Sequence, residues 1–242
     1  MDHTLRNAWI TSVAGGAVFV LLILRMDNNR AVCQEPDGPP IRFHEDDKQK
    51  ASRRQLAEIG KAIQKYEKAN GHFPPRAIFD KSGKPLLSWR VLILPYLGQE
   101  ELFKQFKLDE PWDNPHNKAL IARMPAVFRN PNVPATSTQT NYLVPVGQGT
   151  IFEGTEGLKR AKLAHRAEFT MLVVEANRDA EVEWTKPQDL PYIREKPGRG
   201  LFHFRTDGFL AAMADGHSVL FTRSSDIEML RFVFAYAAPE SQ

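Results

Sequence analysis

Cysteine is nearly absent. Cys33 stands alone among 242 residues, which excludes an intramolecular disulfide framework and any zinc site built on several thiolates. The chain has no run of five or more Lys or Arg. Its 32 basic residues against 29 acidic ones leave a formal net charge of +3, too mild a balance to argue for nucleic acid. No Gly-x-Ser-x-Gly elbow marks a nucleophilic serine, and no glycine-rich loop offers to cradle a phosphate. No internal repeat is visible, and nothing in the composition implies a cofactor. What the chain has is turns: 17 Pro and 15 Gly, with 42% hydrophobic residues. That is enough for one globular domain with an appendage or for two small domains.

The N-terminal run AWITSVAGGAVFVLLIL, residues 8 to 24, carries no charge over 17 residues. It is at the short end of what spans a bilayer core of roughly 30 Å, and longer than most signal-peptide apolar segments. Flanking charges do not settle its orientation, because Arg6 lies on one side and Arg25 and Arg30 on the other. Three readings follow: an uncleaved anchor, a cleaved signal peptide, or a lipid-modified Cys33. The first is the expectation adopted, because Arg25, Asp27 and Arg30 occupy the place of a neutral cleavage region. All three export the remainder. Residues 1–25 are thus expected to form the membrane segment, 26–43 a Pro-rich flexible linker, and 44–242 the folded domain.

In that domain, Leu56, Ile59, Ile63 and Tyr66 recur at helical spacing, with acidic residues at 45 to 47 before them and Gly71 after. A leading helix over 45–70 is predicted. Residues 88 to 108 read as two short helices broken near Pro95, and residues 111 to 125 add a further turn or two. Strand-like segments follow at 141–152 and 169–184. A last helix closes the chain, with Ser224 or Ser225 as its cap.

Two Asp-Gly pairs, Asp207-Gly208 and Asp215-Gly216, punctuate residues 201 to 222. Such pairs favour the type I′ turns of two-residue hairpin loops. Applied twice, the rule predicts a three-stranded meander of residues 201–206, 209–214 and 217–222. One face would carry His203, Ala212 and Val219, together with Arg205, Leu210 and Phe221. The other would carry Phe204, Ala211 and Leu220. This register sets the two Asp-Gly turns roughly 20 Å apart and His203 and His217 roughly 12 Å apart. Neither pair could share one ion, so both Asp-Gly pairs read as turns.

Other candidates are weighed against plainer roles. His44, Glu45, Asp46 and Asp47 could hold a divalent cation, but an acidic helix start explains them as well. Glu175, Asp179, Glu181 and Glu183 alternate around an expected hairpin. They suit either acid–base work on a glycan or a solvated strand face. Trp184 and Trp89 are candidate ligand-stacking surfaces, with a buried anchoring role as the plainer alternative.

The stretch LAEIGKAIQKYEKANGHFPPRAIFDKSGKPLLSWRVLILPYLGQEELFKQFKLDEPWDNPHN, residues 56 to 117, closely resembles a pilin-like family abundant in planctomycete bacteria. The family is known as domain of unknown function 1559 and is often described as similar to the major pseudopilin of type II secretion. The likeness continues through TNYLVPVGQGTIF, TMLVVEANRDAEVEWTKPQDLPY and MADGHSV, roughly residues 45 to 222. It implies an α+β, pseudopilin-like fold: a long amphipathic helix and small helices packed on an antiparallel sheet. Two departures stand out. The prepilin leader typical of members is missing, and Pro36, Pro39 and Pro40 separate the apolar run from the helix, so a continuous pilin spine is not expected. The family signature of a His, nine residues and Asp-Gly has Arg205 at the His position before Asp215 and Gly216. The resemblance carries over no catalytic residue.

The expectation is therefore a non-enzymatic protein of the cell envelope, held in the cytoplasmic membrane through residues 8–24. It would present a pseudopilin-like domain on the outer side to envelope protein partners in secretion or surface assembly. An extracytoplasmic glycan- or solute-binding module is the alternative, and a divalent-ion-dependent hydrolase a weaker third reading. No metal ligand, cofactor site or nucleic-acid partner is expected.

Overall fold

The computed structural model describes residues 23–27, 30–34, 46–163 and 166–236. The chain divides into two units, residues 1–46 and 47–242. In the first, Ile23–Asp27 and Arg30–Gln34 pair antiparallel, with Leu24 opposite Cys33. Ile23 and Leu24, the end of the apolar run, therefore lie in a strand, and part of the expected linker is paired backbone. The rest of the run lies outside the described residues. Among those described, no helix is long and apolar enough to cross a membrane.

The core of the second unit is one long helix packed on a four-stranded sheet, beside three two-stranded pairings among the described residues. Helix α1, Asp47–Asn70, is amphipathic: Gln49, Ser52, Leu56, Ile59, Gly60, Ala62 and Ile63 form its buried stripe. Asp47 in the first turn and Lys68 in the last complement the helix dipole. Gly71, at φ 79°, ends the helix by donating its N–H to Glu67 O. Each of Leu56, Ile59 and Ile63 is wholly buried, which stabilises the fold by about 1.5–3 kcal/mol apiece relative to exposure.

The sheet has four antiparallel strands, β1 (Tyr142–Leu143), β2 (Met171–Glu175), β3 (Gly208–Met213) and β4 (Ser218–Thr222), in the order β4-β3-β2-β1. The central strands MLVVE and GFLAAM are buried along their whole length, as continuous apolar runs covered on both faces must be. Leu210 and Ala212 join the cluster that holds Leu56, Ile59 and Ile63 of α1. Helix and sheet approach closely at Gly60, where an added Cβ would make an ordinary van der Waals contact with that of Ala212 at 3.6 Å. On the opposite pleat Phe209 stacks on Phe221 at 5.2 Å.

The segment at 88 to 108 folds as three short helical turns, Trp89–Leu92, Leu94–Leu97 and Glu100–Phe103. Pro95 lies in the first turn of the second, where its missing N–H is no loss. Pro115–Leu120 and Ile121–Arg123 supply the expected further turns, with Asn114 accepting the N–H of Asn117 at 2.6 Å as a cap. Ser224 and Ser225 do not cap the last helix, α2 (Ile227–Phe234). Asp226 holds that position, without a side-chain hydrogen bond. Nor does β2 form a hairpin with Val182–Glu183, which pairs with Gln139–Thr140 instead.

The meander is half right. Residues 201–207 form no strand, and the second neighbour of β3 is β2. Gly208 is therefore no turn residue. It opens β3 opposite Thr222, where an added Cβ would lie 1.9 Å from Phe221 O; the glycine is needed for contact with β4. Asp215-Gly216 does close a hairpin, but over three residues: Met213 N–H donates to His217 O at 2.8 Å and Gly216 N–H to Met213 O at 2.9 Å. Gly216 at φ 95° completes this longer turn. Ala212 consequently faces Ser218, and Ala211 faces Val219, a slip of one residue that dissolves the expected face-sharing sets. Gln64 of α1 donates to Ala214 O at 3.0 Å, fastening the turn to the helix.

Gly216→Ala should cost about 1–2 kcal/mol, because an L residue resists this conformation and its Cβ would meet Gln64 Nε2 at 2.9 Å. Urea unfolding of the variant measures this loss, and an unchanged midpoint would refute the account. The turn also titrates. Burial tends to raise the Asp215 carboxyl, but the hydrogen bond and charge of His217, whose Nδ1 lies 2.5 Å away, outweigh it and leave the pKa below the ordinary range. Such a carboxylate contributes stability above the unfolded pKa near 4, lost as pH falls through the folded value. The melting-temperature gap between wild type and Asp215→Asn should therefore narrow from about pH 6 to about pH 3.

Candidate functional site

Strand β2 ends on a charge. Glu175 follows four buried apolar residues and is itself wholly buried. A carboxylate there is tolerable only if paired and hydrogen-bonded. Arg205 supplies the charge: its Nε meets Glu175 Oε2, and its Nη2 donates to Oε1 at 3.0 Å. This fork is the geometry in which guanidinium binds carboxylate most strongly. Asn130 adds a donor to Oε1 at 2.7 Å. The same Arg205 Nη2 reaches Ser52 Oγ on α1 at 3.0 Å, so one guanidinium joins the sheet, the helix and the 201–207 segment. Burial works against the Arg205 charge, but Glu175, through hydrogen bond and charge, holds its pKa above the ordinary guanidinium value.

Around this pair the amides interlock. Asn130 also donates to Asn141 Oδ1 at 3.1 Å, and Asn141 donates to Ala176 O at 2.8 Å. Tyr142 stands opposite Glu175 in the sheet and donates its hydroxyl to Gln55 Oε1 at 2.9 Å. Burial, and then the charge of Glu175, push its phenol above the ordinary range. Three further groups of 201–207 are hydrogen-bonded as well. Asn177 Oδ1 accepts the His203 N–H at 2.8 Å, Gln49 donates to Asp207 Oδ2 at 3.1 Å, and Arg223 Nε donates to Thr206 O at 3.0 Å. These bonds replace the strand pairing that the sequence pattern predicted for this segment.

A second buried pair lies under the short helices. Arg90 Nη2 donates to Asp189 Oδ1 at 2.8 Å, with both side chains out of solvent. Trp89 Nε1 and Val144 N–H reach the same oxygen at 3.1 and 3.0 Å. Arg90 also donates to Tyr142 O and to Ser88 Oγ. Burial presses the Arg90 guanidinium below its usual value and the Asp189 carboxyl above its own, each partly offset by the other. The pair fastens the loop at 189 to β1.

The candidates separate accordingly. Trp89 and Trp184 are wholly buried, so neither is a ligand-stacking surface. Their indole N–H groups are spent on Asp189 and on Ile121 O, and Trp184 stacks on Phe128 at 5.9 Å. Glu175 is neither on a solvated face nor joined by the other three carboxylates: Asp179 is exposed, and Glu181 and Glu183 are partly buried. His217 pairs with Asp215 and His203 with Asn177. His44 and Glu45 lie outside the described residues, while Asp47 pairs with Lys50 at 3.3 Å. Among the described residues, no group of three or more His, Cys, Asp or Glu is placed to hold a metal ion.

Beside the Arg205 network lies a half-open cavity of about 280 Å³, lined by Asn177, Arg178, Asp179, His203 and Phe204. Sequence reasoning missed most of this region. Glu175 gave the clearest signal, as a carboxylate closing an unbroken apolar strand that had to find a cation. Asn141, set before the apolar run YLVPV, was a weaker sign. Ser52, Asn130 and Asp189 carried none.

A family model described as protein of unknown function (DUF1559) matches residues 49–162. The match takes in Ser52, Asn130 and Asn141 and stops short of Glu175 and Arg205. No curated protein matches, and no solved structure matches.

Removing one member of a buried pair strands the other. Arg205→Met should therefore destabilise the fold by about 3–5 kcal/mol, and adding Glu175→Leu should restore most of that loss. Urea unfolding of both variants is the test. A single-variant loss below about 1 kcal/mol, or a double variant no better than the single, would contradict this view of the network.

Proposed function

The chain belongs, through residues 49–162, to the family of unknown function 1559, and from that premise we propose a non-catalytic structural or interaction module of the cell envelope. The observation that carries the reading is the disposition of α1. A 24-residue helix lies along an antiparallel sheet with its apolar stripe inward, the arrangement that a pilin-like module requires. Arg54, Glu58, Lys61, Lys65 and Lys68 follow one another along its exposed face, a charged stripe open to a partner. The buried charges support the same reading, since Glu175, Arg205, Arg90 and Asp189 are consumed in holding the scaffold together. The pseudopilin-like fold, a role in secretion or surface assembly, and attachment to the cytoplasmic membrane through residues 8–24 are parts of this proposal.

A photocrosslinking residue at Lys61, in protein expressed in its native cells, tests it. The expected outcome is a discrete adduct with another envelope protein in the membrane fraction, absent when the probe is moved to a buried position. Recovery of the protein in the cytoplasmic fraction without adducts would sink the proposal. Intact mass of the same material fixes the mature N-terminus.

A further inference from the structure

Phe202 stands at φ 68°, the one non-glycine residue in the left-handed region among the described residues. That conformation is costly for an aromatic residue and persists only where its surroundings enforce it. The enforcement is visible on both sides. The Phe202 ring meets Phe209 edge-on at 4.8 Å, and the next N–H, that of His203, is held by Asn177 Oδ1 at 2.8 Å. The Arg205–Glu175 fork then clamps the chain three residues later. Between these anchors His203 is exposed and Phe204 partly exposed, on the cavity they share with Asn177, Arg178 and Asp179.

The polarity of the lining follows from its hydrogen bonds. A backbone N–H only donates, so the Asn177 atom that meets His203 N–H is the amide oxygen. The amide nitrogen therefore faces His203 Nδ1, at 3.2 Å, and that ring nitrogen must accept. The ring proton is left on Nε2, a donor. Arg178 uses one N–H on Asn132 O at 3.0 Å, and a guanidinium has further donors to offer. Asp179 is an acceptor. The lining thus has donors on Arg178 and His203, an acceptor on Asp179, and in Phe204 an aromatic ring whose centroid lies 5.9 Å from the Arg178 guanidinium. With the imidazole neutral, its formal charges cancel. An anion would confront Asp179 and a cation would confront Arg178, whereas a hydroxyl both donates and accepts.

We propose that this cavity binds a neutral sugar residue, with ring hydroxyls on Arg178, Asp179 and His203 Nε2 and a C–H face against Phe204. At about 280 Å³ the space falls just below the roughly 300–1,000 Å³ typical of drug-sized ligands, which suits a single ring. The strained backbone at Phe202 presents His203 and Phe204 to that ring, and the Arg205 network keeps the strain in place. This role is independent of the scaffold reading: the module could hold a partner through α1 and a glycan here.

Saturation-transfer NMR on the full chain tests it, with glucose, galactose, mannose and N-acetylglucosamine as probes and acetate, glycine and methyl phosphate as charged comparators. Transfer to at least one sugar and to none of the comparators is expected. Arg178→Ala and Asp179→Asn should each weaken the signal-derived affinity by about tenfold, the loss of one hydrogen bond to a charged partner. Asp179 is exposed, so the melting temperature of Asp179→Asn should stay within about 2 °C, while Arg178→Ala, which also loses the bond to Asn132 O, should fall by no more than about 4 °C. Absence of transfer to every sugar, binding left intact by both variants, or preference for a comparator would each overturn the assignment.

Discussion

The desolvated carboxylate of Glu175 is the constraint on which the rest of the domain depends. Placed at the end of a strand that is apolar throughout, it cannot be left alone in a low-dielectric interior. Its partners come from distant parts of the chain: Arg205 from the segment before β3, Asn130 from the loop before β1, and Ser52, through Arg205, from α1. Each satisfies a polar group and also sets one element against another. A buried pair of this kind adds little net stability over an apolar replacement. What it specifies here is where the non-strand segment 201–207 must lie.

That placement connects scaffold and surface. Because Arg205 is clamped inward, the residues just before it bulge out, and the strain at Phe202 is borne by packing on Phe209 and by the amide of Asn177. The cavity lined by His203 and Phe204 is therefore a consequence of the network beneath it. The arginine at 205 performs structural work. It joins sheet, helix and loop through one planar fork that an imidazole is too short and too sparing in donors to reproduce.

The Arg90–Asp189 pair applies the same logic at another place. One oxygen of Asp189 gathers the Arg90 guanidinium, the Trp89 indole and the Val144 amide. Like the Glu175 network, it converges on β1, since Arg90 also donates to Tyr142 O. A strand of two residues, Tyr142–Leu143, is too short to be held by its ladder alone. It is held because two buried ion pairs converge on it, one at its backbone carbonyl and one at its cross-strand neighbour.

How much of this was legible before the fold was known differs by element. Helix α1 was readable because 3.6-residue periodicity, an acidic start and a closing glycine all act within one segment. The Asp215-Gly216 hairpin was readable because its turn chemistry is local, although the loop length, and with it the register, was misjudged by one residue. Asp207-Gly208 misled for the opposite reason: its glycine answers to Phe221 O on the next strand, a contact that no local pattern records. A buried anchoring role was already the plainer reading of Trp89 and Trp184, and contacts with Phe128 and Asp189 decided for it. Local patterning was enough for helix α1 and for the Asp215-Gly216 turn, whereas Glu175 read either as a solvated strand residue or as an acid–base group. Its burial against Arg205 is set by the fold, because attraction between charges depends on their distance in space and on the water excluded between them, not on their separation along the chain.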